Sequence, residues 1–259
     1  MDYTNMHPQQ VKDLIREGKI DYQTSGMCAG YAQANLCILP KEYAFDFLLF
    51  CMRNPKPCPI LEVGDVGSRE IKSMASKGDV CTDFPKYRIW KNGVLEKEVT
   101  DISQYWQDDF VYFLIGCSFS FEAELLEADV PVRHIEENVN VPMFNTNIEL
   151  ESAGVFHGNM VVSMRPIPND LVVKAVNVTA AMPRVHGAPI QIGNPEAIGI
   201  KDVTKAYFFA AYASAINGTV RQSQLSSFHS RISKSGQNFF QLAMHFLASS
   251  GFSPRPNQQ

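Results

Sequence analysis

FVYFLIGCSFSF, Phe110 to Phe121, is the longest apolar run in the chain, broken at Gly116 and Ser118 and followed at once by Glu122. Ser103 can cap a helix running through Phe113, and Gly116-Cys117 form a joint. A second helix is expected from Ser118 to Ala128, because Ser118 and Ser120 are good caps and Glu122 suits the positive end of a first turn. At such a joint free N–H groups point out of a glycine-containing turn, which makes Gly116 to Glu122 a candidate anion site. A tight helix-helix joint with two capping serines explains the same residues equally well. Cys117 at a helix start could be held as thiolate, although buried free cysteines are commonly inert packing.

Working outward towards the C-terminus, Arg133 to Ile135, Val141 to Phe144 and especially Met160 to Met164 read as strands. Asn169 or Asp170 can cap a helix through Ala181, and Pro189 to Ile192 reads as a further strand. Towards the N-terminus, Tyr87 to Val99 alternates around Asn92-Gly93, a strong hairpin signal, and Val66 to Gly78 looks like a surface loop. Ile60 to Val63 reads as a buried strand. A helix starts at Pro40 with Ala44, Phe47, Leu48 and Cys51 on one stripe and stops at Asn54-Pro55. A shorter helix follows His7-Pro8, with Val11, Leu14 and Ile15 on its apolar face. Alternating strands and helices predict an α/β fold, a mixed sheet with flanking helices and room for a small inserted α+β subdomain.

The chain has 259 residues, 45% hydrophobic and 19% charged, which excludes disordered, collagenous and coiled-coil classes. A net charge of −4 argues against a nucleic-acid partner. No uncharged apolar run reaches the roughly 18 residues of a membrane span, and the N-terminus lacks the basic-then-apolar order of a secretory signal. The six cysteines include no Cys-x-x-Cys and no His at zinc-ligand spacing, so they read as reduced thiols of a cytoplasmic protein. Phosphate-loop, dinucleotide, Gly-x-Ser-x-Gly and His-Glu-x-x-His signatures are missing. No cofactor and no metal are expected, and a homo-oligomer is left open.

Residues 206–259 carry +4 with no Asp or Glu, against −8 for the rest, and are set apart as an atypical, loosely packed tail beyond a 1–205 domain. Within it only Asn238 to Ser249 has helical spacing. Protease is expected to cut between Ala206 and Gly236.

Other candidate site residues are scattered. Arg165 ends the apolar strand Val161 to Met164, the end from which α/β proteins reach their ligands, and is a carboxylate-clamp candidate; a structural salt bridge is its plainer role. His186, beside Gly187, has the chemistry of a general acid or base, though a lone His is more often structural. Asn35 is a polar group among apolar neighbours, and Arg53 sits at a helix end where it can answer the negative pole.

The segments GYAQANLCILP (Gly30 to Pro40), RNPKPCP (Arg53 to Pro59), TDFPKYR (Thr82 to Arg88), GCSFSFE (Gly116 to Glu122), VVSMRP (Val161 to Pro166) and HGAP with IGNPEAIGI (His186 to Ile200) resemble, in order, the hydro-lyase family that includes the N-terminal region of the D-glutamate cyclases. The resemblance spans about Met6 to Lys205. It implies a lyase removing water from a small acidic metabolite, with D-glutamate cyclising to 5-oxoproline as the candidate reaction. On that footing Arg165, Arg53 and Asn35 are assigned to substrate binding and the Cys117, Ser118, Ser120 turn to oxyanion stabilisation. His186 is assigned to proton transfer, with Glu122 or Asp83 as its titratable partner.

The chain departs from the family pattern at Gln191 and Asn194, and after Lys205 the family's usual Pro-Asp-Phe-Gly, Val-Pro-Val-Phe-Trp and Pro-Gly-His-Met segments do not appear. The altered tail supports a rival expectation: a non-catalytic module that binds a small acid or a partner protein.

Overall fold

The computed structural model describes residues 2–91, 94–206 and 238–243. Helix α1 (Pro8–Arg16) begins where Pro8 needs no N–H partner. His7 caps it, its Nδ1 accepting from the Gln9 amide while Gln10 Oε1 accepts from the His7 amide. Strand β1 (Ala34–Pro40) runs into α2 (Lys41–Arg53), which Asn54 ends as expected before β2 (Ile60–Val63). The loop between Val66 and Gly78 is mostly irregular and carries a two-residue ladder of β3 (Glu70–Ile71) with β4 (Gly78–Asp79). The hairpin of β5 (Tyr87–Lys91) and β6 (Val94–Val99) is present, its turn residues Asn92-Gly93 lying outside the described set.

Phe110–Gly116 is strand β7, not the end of a helix; from Ser103 only a single 3-10 turn forms, Ser103–Tyr105. An uninterrupted apolar run suits a strand buried on both faces as well as a helix, and periodicity cannot separate the two. β7 is the centre of a three-stranded antiparallel sheet, β1-β7-β2, with Ala34 opposite Gly116 and Pro40 opposite Phe110. Its side chains alternate between two cores. Val111, Phe113 and Ile115 pack with Phe47, Phe50 and Cys51 of α2, while Tyr112 and Leu114 pack with Ile71, Val80, Tyr87 and Ile102.

After β7 a 3-10 turn, Ser118–Phe121, leads into α3 (Glu122–Glu127), close to the expected helix. Arg133–Glu136, expected as a strand, is a short helix, α4. Arg133 pairs there with Glu136 and Glu137, spacings that meet only on a helical turn. Strand β8 (Met143–Glu149) pairs with β9 (Asn159–Ile167), the strand expected most strongly from sequence. Helix α5 (Val172–Ala180) packs Ala175 against Phe121, Leu125 and Ile167. The chain then forms β10 (Gln191–Ile192).

Asn238–Ala243 is strand β11, lying between β10 and β9, where a helix was expected over Asn238 to Ser249. Sheet pairing supplies its backbone hydrogen bonds, a tertiary effect that overrides a short helical spacing. The expected protease-sensitive stretch lies outside the described residues, apart from Ala206 itself. The chain is an α/β protein, and every ladder among the described residues is antiparallel. No helix among them is long and apolar enough to cross a membrane.

Candidate functional site

β7 and β9 deliver their ends to one place. At the end of β7, Gly116 N–H donates to Pro59 O and Cys117 N–H to Gln33 O, so the chain turns into the Ser118–Phe121 helix and sets Glu122 at the first position of α3. From β9, Arg165 reaches under this turn. Its Nη2 donates to Glu122 Oε1 at 2.7 Å and to Ser118 Oγ at 3.2 Å, and its Nη1 to Ser163 Oγ at 3.0 Å. The guanidinium lies over the Phe121 ring, 5.0 Å from its centroid. From α4, His134 Nε2 meets the same Glu122 Oε1 at 2.7 Å, and the Ser25 hydroxyl donates to Oε2 at 2.5 Å. Glu122 and Arg165 are each 1% exposed and His134 is 2% exposed, so this is a fully internal acid-base cluster.

Burial alone would raise the Glu122 carboxyl, but His134, Arg165 and the Ser25 hydroxyl together hold it below the usual carboxylate range. Burial lowers His134, against the pull of Glu122. The resting state is therefore a glutamate anion and an arginine cation, with a neutral imidazole donating from Nε2 and no net charge in the cluster. Such a carboxylate has its geometry set from two sides, and its charge is balanced by Arg165 while it stays ionised.

His186 is brought to the same region. It caps the Pro183–Val185 turn in the left-handed conformation, φ 84°, with Nδ1 3.1 Å from Lys56 O. Lys56 Nζ in turn donates to His186 O at 3.0 Å and Ala188 O at 2.6 Å. Burial pushes the imidazole down to about 4, with the positive charges of Arg165 and Lys56 assisting, so it is neutral at pH 7. The close approach depends on Gly116: a Cβ there would stand 2.0 Å from Arg184 O and 3.1 Å from Val185 Cα, both backbone. Gly116→Ala is expected to lower stability by about 1–3 kcal/mol, the cost of forcing extra volume into a packed interior, and to shift His186. A urea melt beside the unmodified chain checks this; an unchanged midpoint would mean that the Pro183–Val185 turn yields freely.

The sequence-derived candidates divide. Arg165, Glu122, Ser118, Cys117, Asn35 and His186 come together, with Asn35 beside the Cys117 thiol. Arg165 commits its Nη atoms to Glu122 and two serines, while its buried Nε has no hydrogen-bond partner among the described residues. The Cys117 thiol is pushed up to about 12 by burial, the opposite of the lowered value a nucleophile needs. The amides of Cys117 and Ser120 are engaged by Gln33 O and Cys117 O, and Ser120 Oγ accepts from Gln33 N–H, so these groups tie the turn down and do not face an oxyanion.

Asp83 and Arg53 stand apart. Asp83 is held by Arg16 at 2.7 Å and Lys12 at 3.7 Å, fastening α1, and shares no partner with Glu122. Arg53 is exposed and donates to Ser152 O. Sequence reasoning missed His134, Ser25 and Lys56. Lys56 lies within the motif RNPKPCP, which could have raised it, whereas Ser25 and His134 stand outside every recognised segment.

The family described as D-glutamate cyclase matches residues 111–220, a span that includes Glu122, His134, Arg165 and His186. Among curated proteins, the relatives it resembles are named "Putative hydro-lyase", three of them being representative. The one from Clostridium beijerinckii is 66% identical over 208 residues, 80% of this chain and 79% of the relative. Those from Thermoanaerobacter pseudethanolicus and Bacillus subtilis are 62% identical over 208 residues and 59% over 203, covering 80% and 78% of this chain and 78% and 79% of their own lengths. With identity at that level across four-fifths of the chain, the protein belongs to this hydro-lyase family.

Proposed function

We propose that the chain is a lyase that removes water from a small acidic metabolite, with D-glutamate cyclising to 5-oxoproline as its reaction. In that reaction the amine nitrogen bonds to the side-chain carboxyl carbon, a carbon–oxygen bond breaks, and two protons pass from nitrogen to the departing oxygen, which leaves as water. Protons are neither consumed nor released overall. The site has to relay them, a task for an internal acid-base pair whose members are held in place.

The observation that carries this proposal is Glu122, an ionised carboxylate that is buried yet lines a cavity, with Arg165 and His134 fixing one oxygen. Glu122 relays both protons in turn. It takes one from the ammonium, freeing the amine to attack, and passes it to the departing oxygen. It then takes the second as the new carbon–nitrogen bond makes the nitrogen acidic and delivers it to the same oxygen, which leaves as water. His134 orients Glu122 through its Nε2–H, and Arg165 keeps the carboxylate charged. His186, neutral and tied to the 54–59 segment through Lys56, holds the wall of the site and not the proton.

Glu122→Gln keeps the shape and removes the proton acceptor. It is expected to reduce 5-oxoproline formation by about 10²- to 10⁴-fold, the usual worth of general acid-base catalysis. The measurement is product formed from D-glutamate by the full chain, by the variant, and by a version carrying the family's usual C-terminal segments. Undiminished turnover in a folded Glu122→Gln variant would remove Glu122 from the chemistry. No product from the unmodified chain or the C-terminal version would favour a binding module.

A further inference from the structure

The two oxygens of Glu122 are treated differently. Oε1 is taken by Arg165 and His134, whereas Oε2, among the described residues, accepts only the Ser25 hydroxyl, and Glu122 lines a cavity between the 26–31 loop and the segment around Phe119 and Leu126. Among the described residues lining that cavity, Glu122 is the one charged side chain. The cluster's cation lies on the far oxygen, its Nη atoms engaged by Glu122, Ser118 and Ser163. A ligand entering here therefore meets a carboxylate, and the field favours a cation over a bare carboxylate.

Resting on the assignment of Glu122 as the proton-transferring group, we propose that this cavity is the ammonium subsite of the enzyme. A primary amine on a short acid displaces the Ser25 hydroxyl from Glu122 Oε2, and the 26–31 loop is the cover that moves to admit it. A charged N–H donor makes a hydrogen bond roughly twice as strong as a neutral hydroxyl does, so the exchange favours the amine. The cover is suited to two positions. Gly26, Cys28 and Gly30 all adopt left-handed backbone, at φ 76°, 52° and 80°. It is tied down by backbone bonds, Cys28 N–H to Tyr3 O and Ala29 N–H to Thr4 O, and by Met27 and Cys28 packing with Val11, Ile15 and Ile20, so the movement is confined to the backbone around Ala29 to Tyr31 while Met27 and Cys28 stay anchored. The carboxylates of the ligand then point away from Glu122, towards the loop and solvent. The selectivity expected is for an amine first and for acidity second.

Calorimetry on the full chain tests this with two probes that cannot cyclise: D-norvaline, which keeps the amine and loses the side-chain carboxylate, and glutarate, which keeps both carboxylates and loses the amine. D-Norvaline is expected to bind at least about ten times more tightly than glutarate, by the net worth of a charge-assisted bond. Ser25→Ala removes the competing hydroxyl from an exchangeable loop contact and should tighten D-norvaline by about 2- to 10-fold while leaving glutarate unchanged. Glutarate binding as tightly as D-norvaline, or a folded Ser25→Ala variant that binds D-norvaline no better, would overturn the subsite. D-Glutamate turnover is read separately. Amine-dependent binding without product supports the subsite and sinks the catalytic assignment; product together with amine-independent binding does the reverse.

Discussion

Arg165→Met is expected to lower the stability of the folded chain by about 3–5 kcal/mol, because it leaves the Glu122 carboxylate buried without its cation. Methionine is close in length and apolar, so lost packing is a small part of the effect. Both partners are 1% exposed, and no solvent is at hand to take over from the guanidinium. The double variant Arg165→Met with Glu122→Gln should regain much of the loss, since the pair is then neutral and the Gln oxygen can accept from His134 while its amide N–H donates to the Ser25 hydroxyl. Urea midpoints for the two single variants, the double variant and the unmodified chain complete the cycle. A single Arg165→Met variant within about 1 kcal/mol of the unmodified chain would show that water enters the cluster and that the pair is less internal than its exposure indicates.

The second large effect is with pH. The folded chain holds His186 down to about 4, below its ordinary 6.5. Between those values the unfolded chain binds the proton and the folded chain does not, so stability present above pH 6.5 is lost as pH falls towards 4. Two and a half pH units correspond to about 3 kcal/mol. His134 is lowered as well and acts in the same direction within that range. Glu122, held below 4.5, contributes stability above its ordinary value that is lost as pH falls through its folded value, so its loss comes at the lower end. His186→Asn, a residue that tolerates the left-handed conformation at this position, should flatten the pH dependence of the urea midpoint between pH 6.5 and 4. An unaltered slope in that variant would assign the acid sensitivity to His134 alone.

Much of the local structure was legible before any coordinates. Pro8 and His7 at a helix start, Asn54-Pro55 at a helix stop, the alternation around Asn92-Gly93 and the Met160 to Met164 strand each carry a near-neighbour signal, and the structure places an element at each. Phe110 to Gly116 was not legible. A run apolar at every position satisfies both helical and extended periods, and only the partners on either side, β1 and β2, make it a central strand. Arg133 to Ile135 failed for a related reason. Three residues are too few to show a period, and the pairing of Arg133 with Glu136 and Glu137 decides their helical turn.

By itself the sequence determined the family, the α/β class and the residues Glu122, Arg165, Ser118 and His186 as members of one candidate site, because its motifs stand as intact short segments with their order kept. Tertiary structure alone decided what those residues do to one another. Glu122 and Arg165 lie 43 positions apart, and nothing in either segment states that the guanidinium pairs internally with the carboxylate. Ser25 and His134, 97 and 12 positions from Glu122, enter the site only through the fold, Ser25 from the N-terminal loop and His134 from α4. Local sequence sets caps, periods and turns through neighbours a few residues away; charge pairing, desolvation and the accessible face of a carboxylate depend on which distant surfaces meet.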